Sequence, residues 1–174
     1  MALPSRPQTF AYDNCRELLM KLEREIDRYY TVAGSQEDDP DKVLDVVNTL
    51  KDAAFNASVT AWHLVDWVFR DMRPEQRKRF GLTHKRDLQE YARKECPQLR
   101  LCELACVASK HWVVSDKNIK DDDVHTLVTG ERGWVVYFVE KDRKIAAEVV
   151  FGEAHAFWNQ FIRQNDIAPG TAPD

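Results

Sequence analysis

The chain has 174 residues, of which 44% are hydrophobic and 31% are charged, as in ordinary globular domains. The net charge of −4 excludes a protein that coats nucleic acid through an overall basic field. No apolar run reaches the roughly 18 residues of a membrane-spanning helix, and the N-terminus lacks a hydrophobic signal segment. We therefore expect one soluble, cytoplasmic domain over residues 1–174, with flexible tails at 1–8 and 167–174.

Helical spacing of apolar residues dominates the first two thirds of the chain. The run over residues 41–72 has no Gly and no Pro, which predicts one long helix capped by Asp39 or Asp41. Gly34, Gly81 and Pro97 are expected to separate the helices. The predicted helices cover residues 9–32, 41–72, a short turn at 74–80, then 84–95 with Thr83 as N-cap, and 98–113.

After residue 114 the helical spacing of apolar residues gives way to β-rich segments. Three β-rich segments, at residues 124–130, 133–140 and 144–152, predict an antiparallel meander whose last strand ends at Gly152. An amphipathic helix over residues 153–165 follows. The expected fold is mainly α, a helical bundle around one long buried helix, with a small C-terminal β-meander and a closing helix (α+β).

A polar stripe interrupts the long helix, whose second half is otherwise apolar around most of its circumference. Buried polar groups must be hydrogen-bonded, hydrated or used. We favour a satisfied core seam, in which His63 and Asp66 bond to each other; the alternative is a general-base pair made by the same two residues. The stripe consists of Asn56, Thr60, His63, Asp66 or Trp67, and Arg70.

Lys110 and His111 lie near the C-terminal end of the last predicted helix before the sheet. Either residue could meet the stripe and stabilise negative charge, which makes His63, Asp66, Lys110 and His111 the catalytic candidates. Asn56, Thr60, Trp67 and Arg70 would then line a binding site. The simpler interpretation is that Lys110 and His111 only complement the dipole at a helix C-terminus.

The cysteines do not show the spacing of a metal site. Cys96, Cys102, Cys106 and His111 follow the pattern C-x5-C-x3-C-x4-H, which lacks the short knuckle of zinc sites. The sequence also lacks the P-loop, dinucleotide-binding, HExxH and GxSxG motifs. We therefore expect neither a metal nor a cofactor.

The densest basic stretch lies between the long helix and the helix at 84–95. It could contact RNA or an acidic partner, but acidic residues are interleaved with it, which favours a solvated surface. The cations of this stretch that could contact RNA are Arg73, Arg77, Lys78, Arg79, Lys85 and Arg86.

The segments Trp62-His63-Leu64-x-Asp66-Trp67 and Ser109-Lys110-His111-Trp112 resemble those of a group of uncharacterised bacterial proteins with an HxxDW helix and a later KH dipeptide. The resemblance implies that these motifs lie near one another in a bundle, and implies no substrate. The spacing Arg79-x4-His84 is similar to the R-x4-6-H motif of HEPN helical-bundle ribonucleases, although Gly81 places it in a turn.

Because no catalytic signature is present, we expect a binding or interaction module of a bacterial or phage system rather than an enzyme. A protein partner or a small ligand would use the stripe, the basic stretch or an exposed sheet edge. The alternative is a small hydrolase or HEPN-like ribonuclease that uses the His63–Asp66 pair. The sequence leaves the ligand and the oligomeric state open.

Overall fold

The computed structural model describes residues 12–37, 39–108, 124–130 and 133–168. These residues form six helices and one three-stranded antiparallel sheet, so the predicted fold class is confirmed. None of the described helices has the length and apolar character required to cross a membrane. The elements are α1 (Cys15–Val32), α2 (Pro40–Asp71), α3 (Pro74–Arg79), α4 (Lys85–Glu95), α5 (Pro97–Ala108), β1 (Val124–Thr129), β2 (Val135–Glu140), β3 (Arg143–Ala146) and α6 (Ala147–Gln164).

Helix α2 is the centre of the fold and packs against α1, α4, α5, α6 and β2. It begins as the sequence predicts, because the Asp39 carboxylate caps the N-terminus and Pro40 occupies the first turn. Its inner side is apolar and fully buried at helical spacing, from Leu50 through Ala57 and Leu64 to Val68. No described residue of α2 before Leu50 is buried, so the helix is buried along one side and only from Leu50 onward.

Helix α1 begins at Cys15 and not at residue 9 as predicted. The Asn14 side chain accepts hydrogen bonds from the backbone of Arg16 and Glu17 at 3.0 and 3.1 Å, which fixes the first turn at this point. Tyr12 and Asp13 precede the helix, and the rest of the predicted start lies outside the described residues. The cap signal was present in the sequence, but the apolar spacing extended past it.

The third predicted strand is largely helical, which corrects the prediction for residues 147–152. β3 stops at Ala146, and α6 starts at Ala147. Val150, Phe151 and Trp158 are fully buried at helical spacing, so packing against the bundle overrides the β preference of the valines. Gly152 lies within α6 on its exposed side and does not break it.

The sheet is attached to the helices at the loop between α1 and α2. Gly34 N donates to the Trp134 carbonyl at 2.9 Å, and Trp134 N donates to the Ser35 carbonyl at 3.2 Å. Gly133 sits against Gly34 with φ of +97°, and a Cβ at Gly133 would lie 2.6 Å from the Gly34 oxygen. The close approach therefore requires glycine at position 133.

The packed chain extends to Ile167, where the sequence predicted a flexible tail to begin. Ile167 is fully buried, and its carbonyl accepts a hydrogen bond from Arg16 Nε at 2.9 Å. The C-terminal side of α6 is thereby held against the start of α1.

Candidate functional site

The predicted polar stripe does not form one buried seam. Asn56 and Asp66 are exposed, His63, Trp67 and Arg70 are partly buried, and Thr60 is buried. The reason is that α2 turns its polar positions away from the core, so most of them reach solvent while Thr60 faces α1. The stripe therefore divides into separate contacts with different neighbours.

Thr60 belongs to a polar cluster between α1 and α2. Its hydroxyl accepts a hydrogen bond from Lys21 Nζ at 2.8 Å, and the same nitrogen donates to Glu25 Oε1 at 2.9 Å. Arg28 also donates to Glu25, whose side chain is almost fully buried. Burial raises the pKa of Glu25, but the hydrogen bonds from Lys21 and Arg28 outweigh it and hold the pKa below 4.5. The cluster joins two helices and gives Thr60 a structural role.

His63 and Asp66 have different partners. His63 Nε2 lies 3.7 Å from Cys106 Sγ on α5. Asp66 pairs with Lys85 on α4 at 3.0 Å, and both side chains of that pair are about half exposed. Among the described contacts, His63 and Asp66 thus meet two different neighbouring helices and do not bond to each other.

Lys110 and His111 lie outside the described residues, so their approach to His63 stays a prediction. The same applies to the part of the bacterial resemblance that depends on them.

Arg70 and Trp67 hold the end of α2 against the start of α1. The Arg70 guanidinium lies 4.2 Å from the centre of the Trp67 ring and donates to Asp71 at 2.7 Å and to the Asp13 carbonyl at 2.7 Å. Asp71 in turn accepts a hydrogen bond from Cys15 N at 2.6 Å. Of the two predicted binding residues, Arg70 therefore joins α2 to the residues before α1, and Trp67 packs on the Arg70 guanidinium.

A further ion pair lies between α4 and α5 and was not predicted. Arg93 donates twice to Glu103, at 2.6 Å each, and lies 5.3 Å from the Trp62 ring. The sequence shows opposite charges ten residues apart on two consecutive helices. Which residues face each other depends on how the two helices are rotated, and apolar spacing does not fix that rotation.

The basic stretch is largely engaged within the chain. Three of these contacts are with carboxylates, which offset part of the positive charge and favour the interpretation as a solvated surface. The intrachain contacts are Arg73 with Asp166, Arg77 with the Arg70 carbonyl and the Phe69 ring, Arg79 with Asn165, Lys85 with Asp66, and Arg86 with Glu90.

The Arg79-x4-His84 spacing spans the turn between α3 and α4, as the glycine predicted. Arg79 ends α3, Gly81 has φ of +67°, and His84 rather than Thr83 is the N-cap of α4. The Asp87 carboxylate accepts backbone hydrogen bonds from Thr83 and His84, which lowers the pKa of Asp87. These bonds fix the start of α4.

The four cysteines differ in what surrounds the sulfur. Burial raises the pKa of the Cys15 thiol to about 12 and also raises the pKa values of Cys96 and Cys102. Cys106 has the His63 imidazole against its sulfur. Within the described ranges, no three His, Cys, Asp or Glu side chains form a group that could hold a metal ion.

The two edges of the sheet differ in composition and length. The strand order is β1-β2-β3, so β1 and β3 are the edges of the described sheet. β3 has four residues, begins with the exposed cations Arg143 and Lys144, and runs directly into α6. β1 has six residues, VHTLVT, without proline, aspartate, glutamate, lysine or arginine. His125, Thr126 and Leu127 of β1 are all exposed.

The chain matches no protein-family model, no curated protein and no solved structure. Two features stand out from their surroundings, the outer edge of β1 and the contact between His63 and Cys106.

Proposed function

We propose that the protein is a binding module that takes an extended segment of a partner protein onto the outer edge of β1, the side of that strand away from β2. The observation that carries the proposal is the contrast between the two sheet edges. One edge is short and cationic, and the other is longer and uncharged apart from a histidine.

An edge strand presents unpaired backbone N–H and C=O groups and so acts as a template for another strand. Proteins normally block this with charged side chains, proline or a short strand. β3 has two of these devices, whereas β1 has none of them in its sequence. This asymmetry is expected where one edge pairs with a partner and the other must not.

The strand register indicates what such a segment would contact. Leu127 is opposite Tyr137, which is opposite Ala146, so these three residues form an apolar row across the sheet. An added strand would place one residue beside Leu127 and extend this row. Its backbone would supply affinity, and an apolar side chain at that position would supply specificity. The partner is therefore an extended segment with an apolar residue opposite Leu127.

The alternative function, a hydrolase with a His63–Asp66 pair, has less support. Asp66 is exposed and paired with Lys85, and His63 contacts a thiol. A carboxylate that orients a catalytic imidazole needs to be hydrogen-bonded to that ring.

The test uses a library of displayed peptides about ten residues long, selected on the full chain. The selected peptides are then measured against two variants. Leu127→Lys places a charge on β1, where it should block strand addition. Val149→Lys introduces the same charge at a residue that is 51% exposed and belongs to α6, outside β1.

Peptides that bind the edge should have an apolar residue at alternate positions and should bind the Val149→Lys variant as they bind the original chain. Binding to Leu127→Lys should fall at least about ten-fold, equivalent to 1.4 kcal/mol. Equal binding to both variants, or selection that yields no binder, would contradict the proposal. Concentration-dependent dimerisation that Leu127→Lys abolishes would also contradict it, because β1 would then pair with a second copy.

A further inference from the structure

We propose that Cys106 and His63 form a nucleophilic thiol site that small hydroperoxides oxidise. The site is independent of the β1 edge and lies between α2 and α5.

The geometry brings an acid and a base together. His63 Nε2 lies 3.7 Å from Cys106 Sγ, within hydrogen-bond range for sulfur. The two residues are 43 positions apart in the chain, so the contact depends on how α2 packs against α5. An imidazole at this distance can accept the thiol proton, and the thiolate is the nucleophilic form of cysteine.

Burial limits what can reach the sulfur. Cys106 is only 2% exposed, whereas the His63 ring is partly exposed. A sulfur this buried favours a small reactant. Hydrogen peroxide and short alkyl hydroperoxides are small and uncharged, so little desolvation opposes their entry.

Among the described residues, two ion pairs lie on the turns beside the site. Asp66 pairs with Lys85 on α4, and Glu103 on α5 pairs with Arg93 on α4. Cys102, one turn before Cys106, is fully buried, and burial raises its pKa. In both pairs opposite charges compensate each other, and the His63 imidazole is the described base that contacts the Cys106 sulfur.

The chemical step balances without another reactant. The Cys106 thiolate attacks the terminal, hydrogen-bearing oxygen of the hydroperoxide, an S–O bond forms and the O–O bond breaks. The leaving hydroxide or alkoxide takes the proton from the His63 imidazolium and departs as water or alcohol. The sulfur becomes a sulfenic acid, which a thiol can reduce.

The experiment treats the full chain with hydrogen peroxide for a series of times, stops the reaction with catalase, and then unfolds the chain in denaturant that contains dimedone, which captures sulfenic acids. Peptide mass spectrometry then gives a labelling rate for each cysteine. Cys106 should be labelled at least about ten-fold faster than Cys15, Cys96 or Cys102, the factor that one pKa unit makes in thiolate content. Cys106→Ser should remove the fast signal.

His63→Gln should lower the Cys106 rate about ten-fold, because glutamine cannot accept the thiol proton at neutral pH. His155→Gln is the matched control, since His155 pairs with Glu23 between α6 and α1 and should leave the rate unchanged. Circular dichroism checks that each variant is folded.

The pH dependence of the unsubstituted chain provides a second test that needs no variant. Labelling of Cys106 should reach half its maximum at least about one unit below 8.5, the ordinary pKa of a thiol. Labelling no faster than at Cys96, or a half-maximum at or above the ordinary value, would overturn the proposal.

Discussion

The Trp158 indole nitrogen donates a hydrogen bond of 2.9 Å to the Ala61 carbonyl, which joins the closing helix α6 to the middle of α2. Both residues are fully buried. A buried indole N–H that lost this acceptor would have to remain unpaired away from water. The contact therefore fixes how α6 lies on α2.

Replacing Trp158 with phenylalanine should lower the free energy of unfolding by about 2–4 kcal/mol, because the hydrogen bond is lost and a cavity remains. Trp67→Phe is the control, since Trp67 is only partly buried. Urea unfolding of the three proteins gives both differences. A Trp158 variant that loses no more stability than the control would show that this contact does not hold the closing helix.

Gly133→Ala should destabilise the protein by about 1–3 kcal/mol. The backbone at Gly133 is in the left-handed region, and an added Cβ would collide with the Gly34 carbonyl. The change should lower the thermal unfolding midpoint. An unchanged midpoint would mean that the turn after β1 does not pack on the α1–α2 loop as described.

Gly152→Ala should have the opposite effect and stabilise the protein by about 1 kcal/mol. Gly152 is an exposed residue inside α6, and a Cβ there would meet no atom within 4 Å. Alanine has the higher helix propensity by about that amount. A decrease in stability on this substitution would indicate that residues 147–152 form a strand, as the sequence first suggested.

Glu25→Gln should lower the stability at pH 7 by about 1 kcal/mol, because the charged hydrogen bonds to Lys21 and Arg28 are weakened. The folded-state pKa of Glu25 lies below 4.5, so its contribution is present above that pH and is lost as the pH falls through the folded value. The stability difference between the two proteins should therefore shrink below pH 4.5. Denaturant unfolding from pH 7 to pH 3 measures it.

The surface pair of Arg86 and Glu90 supplies the control for that experiment. Glu90→Gln should change the stability by less than about 0.5 kcal/mol at pH 7, since exposed ion pairs contribute little. A Glu25 variant whose deficit stays constant down to pH 3 would show that its carboxylate is not stabilised by charge.

The sequence predicts elements well where the signal is local. Asp39, Pro40 and Gly34 mark the ends of helices without reference to the rest of the fold. The strand prediction is wrong at residues 147–152. Two valines favour a strand there, but burial of Val150 against the bundle stabilises a helix.

The candidate site was less predictable than the fold. Sequence spacing placed His63 and Asp66 on one side of α2, but their partners come from α4 and α5. The contact with Cys106 depends on how α2 and α5 are rotated relative to each other. Apolar residues occur on several sides of α5, so the sequence does not determine that rotation.

The most direct test of the binding proposal is amide hydrogen exchange of the full chain with and without a selected peptide. Addition of a strand should slow exchange in residues 124–129, where backbone N–H groups on the outer edge of β1 gain partners. Exchange in β3 should be unchanged. Protection that appears at α4 and α5, with none in β1, would contradict the account and place the binding surface elsewhere.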